Sequence, residues 1–71
     1  MTRDEFRAAL HTLEWTQRQA AEHLGYKVTA IEKMAQGRKN VPRWTSLAVR
    51  RLVFLRMRLP HVYTELMGAN L

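Results

Sequence analysis

Residues 16–37 read TQRQAAEHLGYKVTAIEKMAQG, and the spacing within them decides the fold. Thr16 followed three places later by Gln19 is a capping box, the signature of a helix start. Trp15, just before the cap, is placed to staple the entry, and Ala20, Ala21 and Leu24 supply an inward face. Gly25 ends this helix, since glycine takes the left-handed conformation without strain. A second periodic run carries Ile31 and Met34 inward and is closed by Gly37. Counted from Gln17, the inward places are the fourth (Ala20), eighth (Leu24), tenth (Tyr26), fifteenth (Ile31) and eighteenth (Met34). Two helices crossing steeply after a turn of three or four residues bring their backbones together at one point. The residue at that point must be small, and Ala21 is, so Ile31 is expected to pack over it.

Outward from this stretch the chain reads as all-α, four or five helices in one domain spanning residues 1–71. Upstream, Thr2 with Glu5 forms another capping box, ahead of Phe6, Ala9, Leu10 and Leu13 at helical spacing. Downstream, GRKNVP is a loop, and Pro42 suits the first turn of a long helix that reaches Leu59. Pro60 stops that helix, HVYTELM adds one or two turns that Gly68 ends, and GANL is expected to be a frayed tail. No alternating run or hairpin dipeptide marks a strand.

The long helix carries two apolar stripes. Trp44, Ala48, Leu52, Leu55 and Leu59 share one face, which is expected to meet the core and brings Arg51 and Arg58 near its edge. Val49, Val53 and Met57 follow one another at steps of four on the other side. A surface helix of a monomer has one stripe, so the second predicts a partner. A domain of this size buries only about 60% of the surface its unfolded chain exposes, and oligomerisation is a common remedy. The expected homodimer interface comprises Val49, Val53, Met57, Val62, Tyr63 and Leu66; the alternative is that the C-terminal segment covers the stripe itself.

Composition narrows the function. The 71 residues hold 12 Lys/Arg against 6 Asp/Glu, a net charge of +6. From Lys33 to Thr64 there are eight basic residues and no acidic one, a field suited to polyanions. There is no cysteine, which removes disulfides and thiolate metal sites and suits a reducing cytosol. No apolar run approaches a membrane span, and MTRDEFRAAL carries charges where a signal peptide would be apolar. His11, His23 and His61 are scattered without ligand spacing or paired carboxylates, so no metal, cofactor or enzymatic chemistry is expected.

The motif resembles the helix-turn-helix of the lambda-repressor-like (Cro/repressor, XRE-type) DNA-binding family. The likeness rests on Thr16-Gln17, Ala21, Gly25, Ile31-Glu32 and Gly37 followed by basic residues and Pro42, and covers roughly residues 3–59. It departs at Lys27, where relatives carry a Ser or Thr cap, and at Tyr26, larger than the usual aliphatic residue and in need of a partner for its hydroxyl. The resemblance implies that the third helix lies in the major groove, with Lys27, Val28, Thr29 and Lys33 as base-reading residues. It implies contacts to the DNA backbone from Gln17, Arg18, Gln36, Arg38, Lys39, Asn40 and Arg43. It further implies a homodimeric transcriptional repressor, acting on an inverted repeat in its own or a neighbouring promoter and located in the cytoplasm on the nucleoid, with no small-molecule effector. The small phage and mobile-element regulators, including those that accompany anti-CRISPR genes, are similar in size. The other reading is an antitoxin-like module that binds a partner protein as well as DNA.

Overall fold

In the computed structural model, which describes residues 1–68, both capping boxes form. The Thr2 hydroxyl accepts from the Glu5 amide at 3.1 Å while the Glu5 carboxylate accepts from the Thr2 amide at 2.9 Å. Thr16 and Gln19 repeat the arrangement at the same two distances. These caps start α1 (Arg3–Leu13) and α2 (Gln17–Leu24), and α3 (Val28–Ala35), α4 (Arg43–Arg58) and α5 (Pro60–Gly68) complete an all-α domain without strands among the described residues. The hydrogen bonds within the first box, with Arg50 nearby, hold the Glu5 carboxyl below its ordinary range. Its contribution is therefore present above about pH 4.3, the value of an unperturbed glutamate, and is lost as pH falls through the lower folded value. Pro60 stops α4 and also opens α5, the first helical position being one that proline tolerates. Of the expected frayed tail GANL, Gly68 is the last residue of α5 and residues 69–71 lie outside the described residues.

Helix α1 is central, packing on α3 and α4, while α2 packs on α3 and α5 on α4. Phe6, Ala20, Ile31, Met34 and Val49 are fully buried, with Leu10, Leu13, Ala21 and Leu24 around them. A side chain such as Phe6 or Ile31 contributes about 1.5–3 kcal/mol by leaving water. The α2–α3 turn follows the sequence expectation, with Gly25 at φ 75° and Ala21 and Ile31 in one buried cluster. Helix α3 ends in a Schellman motif, the Gly37 amide bonding to the Met34 carbonyl and the Arg38 amide to that of Lys33. Gly37 stands at φ 76°, and a Cβ there would also meet Arg3 Cδ at 3.0 Å.

Helix α1 ends by the same motif, but with Glu14 in the left-handed place at φ 57°. A side chain there costs about 1–2 kcal/mol. Two contacts offset it: the amides of Glu14 and Trp15 cap the carbonyls of His11 and Leu10, and the carboxylate meets the Arg56 guanidinium at 2.6 Å.

Helix α4 is rotated from the sequence expectation. Thr45, Ser46 and Val49 face the core, with Leu52 and Val53 packed at its edge. Trp44, expected inside, is 56% exposed, and Leu59 is also exposed. The cause is polar: the hydroxyls of Tyr26 and fully buried Thr45 share a hydrogen bond at 2.6 Å. Trp44 is left to stack on the Tyr26 ring from outside, with centroids 5.6 Å apart. Arg51 and Arg58 are exposed rather than at the core edge, and Arg56 takes that place, 5.5 Å from the Tyr63 ring centroid. Two of the residues expected between copies are withdrawn, Val49 by the same rotation and Tyr63 by the packing of α5. Val49 and Tyr63 lie inside the chain's own core, and neither can reach a partner without unfolding it. Val53 and Val62 are half-buried, while Met57 and Leu66 stand free at 68% and 52% exposure.

The Tyr26–Thr45 bond gives a stability test. Tyr26→Phe strands the buried Thr45 hydroxyl and is expected to cost about 1–3 kcal/mol in urea denaturation. Adding Thr45→Val removes the stranded group, so the double variant should be more stable than Tyr26→Phe alone. Additive losses would mean that the two hydroxyls are not coupled.

Candidate nucleic-acid interface

Helix α3 buries Ile31, Met34 and Ala35 and turns Thr29, Lys33 and Gln36 outward. These three follow at steps of four and three, which stacks them into one exposed stripe along the helix. The stripe mixes a hydroxyl, an ammonium and an amide, a set able to address both acceptors and donors on a base edge. Lys27 is exposed at the N-terminal end of the stripe. Val28 is half-buried and packs partly against the core, so only part of its side chain faces out. Gln36, expected at the DNA backbone, lies on the stripe itself and accepts from the Arg38 guanidinium at 3.2 Å.

The backbone-contact candidates fall in two groups, at the start of α2 and after α3. Gln17 and Arg18 open α2 and are exposed. The capping box occupies the amides of Thr16 and Gln19. The amides of Gln17 and Arg18 belong to the first turn, have no intrahelical acceptor and carry the positive end of the helix dipole. In the second group Arg38, Lys39, Asn40 and Arg43 are exposed through the loop 37–42 and the start of α4. That loop is held rather than free. Its first amides cap α3, and the Lys39 ammonium lies 5.8 Å from the centroid of the Tyr26 ring.

Helix α1 adds residues that motif reading passed over. Arg3 lies across Gly37 and donates to the Gln36 carbonyl at 3.4 Å, at the foot of the α3 stripe. Arg7 and His11, one turn apart, share an open groove with Thr16 and Gln17 and so flank the exposed start of α2. Their only signal in the sequence is a spacing at steps of four, Arg3, Arg7 and His11, on the flank of α1 beside Leu10. No three His, Asp or Glu side chains gather as metal ligands among the described residues. No helix among them is long and apolar enough to cross a membrane.

Lys27 sits at the N-cap of α3 and makes no side-chain cap bond. Its carbonyl accepts the amides of Ala30 and Ile31 at 3.0 and 3.3 Å, so the helix starts regularly in spite of the missing cap. Lys27→Ser supplies an acceptor for the first-turn amides and should raise stability by about 1 kcal/mol, whereas Thr16→Ala, which removes a cap, should lower it by about as much. Urea midpoints of the two variants measure both effects, and equal midpoints would show that the caps do not govern stability here.

The helix-turn-helix domain model matches residues 3–55 of the chain, from the start of α1 into the last turn of α4. The chain belongs to this family of DNA-binding domains. No curated protein and no solved structure matches it at a significant level.

Proposed function

We propose that this helix-turn-helix domain is a sequence-specific transcriptional regulator, a homodimeric repressor that reads an inverted repeat through the major groove. The observation that carries the reading is the exposed Thr29–Lys33–Gln36 stripe, followed in the chain by the basic loop at Arg38 and Lys39. Lys33 donates to guanine O6 or N7, and Thr29 bonds to a base or places its methyl against thymine. Lys27 and the outer part of Val28 complete the base-reading set at the helix start. Gln17, Arg18, Arg38, Lys39, Asn40 and Arg43 hold phosphates and set the register, without reading sequence.

One such domain brings few side chains to base edges. Two related by a twofold axis place their reading helices about 34 Å apart and double the contacts. The residues left for an interface between copies are Met57 and Leu66, with Val53 and Val62 beneath them. The resemblance of the motif supports a role akin to that of the Cro/repressor-like regulators of phages and mobile elements. A second reading, a module that binds a protein partner as well as DNA, is supported by apolar side chains that α4 exposes at Leu47 and Phe54.

Selection of binding sites from random duplex DNA tests the first reading, with an inverted repeat as the expected product. A single half-site, or no enriched sequence, would overturn the dimeric reading or the specific one respectively. Two substitutions then separate the roles. Lys33→Ala should cost about 1–3 kcal/mol and relax preference at one base pair per half-site. Arg38→Ala should weaken all sequences alike and make the salt dependence shallower, by about one unit of slope for each phosphate that Arg38 neutralises. Identical behaviour of the two would remove Lys33 from the base-reading set.

A further inference from the structure

Helix α4 has a face that the fold leaves unused. Val49 marks its core side, and on the opposite side Leu47 and Phe54 project outward, 49% and 57% exposed. Arg51 and Arg58 occupy the alternate places of the same stripe, at helical spacing four, three and four from Leu47. With Arg50 and Leu55, the residues Leu47, Arg51 and Phe54 line an open groove with an apolar floor. A leucine and a phenylalanine two turns apart on one side of a helix, both half in water and lining one groove, form a patch rather than scattered surface residues. The core is on the other side of α4, so this face points away from the cluster that holds Ile31, Met34 and Val49.

Charge selects the occupant. Arg51 and Arg58 form no ion pair among the described residues, and Arg50 has only a long contact of 3.7 Å with Glu5, both side chains more than half exposed. No acidic residue occurs between Lys33 and Thr64, so the face has no carboxylate of its own to answer these arginines. A second copy laid on the groove would set another Arg50, Arg51 and Arg58 against the first, a like-charge juxtaposition that works against pairing. Duplex DNA would satisfy the arginines and leave Leu47 and Phe54 in water. A protein helix whose apolar side chains are flanked by carboxylates satisfies both.

We propose that the outer face of α4 is a docking site for an acidic amphipathic helix of another protein. Apolar residues at steps of three and four would seat on Leu47, Phe54 and Leu55, in the manner of a helix laid in a groove. Aspartate or glutamate on either flank would meet Arg50, Arg51 and Arg58. Arg43, a phosphate candidate, lies four places before Leu47 on the same side of α4, so the groove adjoins the DNA site; the inference stands whether or not α3 reads bases.

The test uses the full chain and a labelled 16-residue helical peptide with leucines at steps of three and four between glutamates. Controls are a scrambled peptide of the same composition and a version with lysine in place of glutamate. Anisotropy should show saturable binding of the first peptide only. Phe54→Ser and Arg51→Ala should each weaken it at least tenfold while keeping the thermal midpoint and DNA binding of the wild type. Equal binding of the scrambled peptide, unchanged binding by both variants, or no binding at millimolar peptide would overturn the proposal. So would a wild-type dimer, by sedimentation, that Phe54→Ser converts to monomer, since a second copy would then occupy the groove. Binding to phosphatidylserine vesicles lost in both variants, without peptide binding, would assign the face to a membrane instead.

Discussion

The hydrogen bond between the hydroxyls of Tyr26 and Thr45 ties the helix-turn-helix to the rest of the molecule. It joins the turn between α2 and α3 to the first turn of α4, across a loop that carries Arg38, Lys39 and Asn40. A buried hydroxyl without a partner is expensive, so the bond fixes which side of α4 faces inward. Val49 then enters the core and Leu47 and Phe54 leave it, while Arg56 comes to the core edge against Glu14 and Tyr63. The same ring carries Trp44 stacked upon it and the Lys39 ammonium nearby. A larger residue than this turn usually holds is therefore what orders the basic loop beside α3.

This bond also marks where the sequence stopped being legible. The five helices, both capping boxes, the left-handed glycines and the inward set of the motif followed from short-range rules, because each depends on residues within a few places of one another. The phase of α4 did not. Counting apolar residues put Trp44 and Leu59 inside, since nothing local distinguishes a tryptophan that packs on a neighbouring ring from one that fills a core. The deciding pair, Tyr26 and Thr45, is separated by 19 positions, and both members are polar at the tip. The need of the Tyr26 hydroxyl for a partner was readable; the identity of the partner was a tertiary fact. Glu14 is a similar case. A glutamate gives no hint of a positive φ, and the arginine that answers its carboxylate lies 42 positions away.

The site was legible in its parts and less so in its extent. Thr29 and Lys33 stand outward because Ile31 and Met34 stand inward, a consequence of helical period alone. Gln36 shares their stripe by the same arithmetic. The contribution of α1 was hidden because its basic residues lie outside the motif and reach the site only through packing. Arg3 arrives at Gly37 because that glycine has no side chain to exclude it. The charge excess was plain in the composition, but its division into two fields was not. Arg38 and Lys39 flank α3, whereas Arg50, Arg51 and Arg58 surround apolar side chains on the outer surface of α4.

Lys27 and Tyr26 show how two adjacent residues serve opposite ends of one turn. Tyr26 points inward and binds the fold together, and Lys27 points to solvent and leaves the start of α3 without a side-chain cap. A cap would stabilise α3, and both other helices that begin from a threonine in this chain have a complete capping box. Helix α4 also begins without a side-chain cap, from Pro42; the uncapped start of α3 differs in standing at the exposed end of the outward stripe, and departures from local consistency concentrate where a side chain is needed for something other than stability. A serine there would close off first-turn amides that point along the helix axis. A lysine leaves them open and adds a positive charge beside them, an arrangement suited to an anion approaching α3 from its N-terminal end.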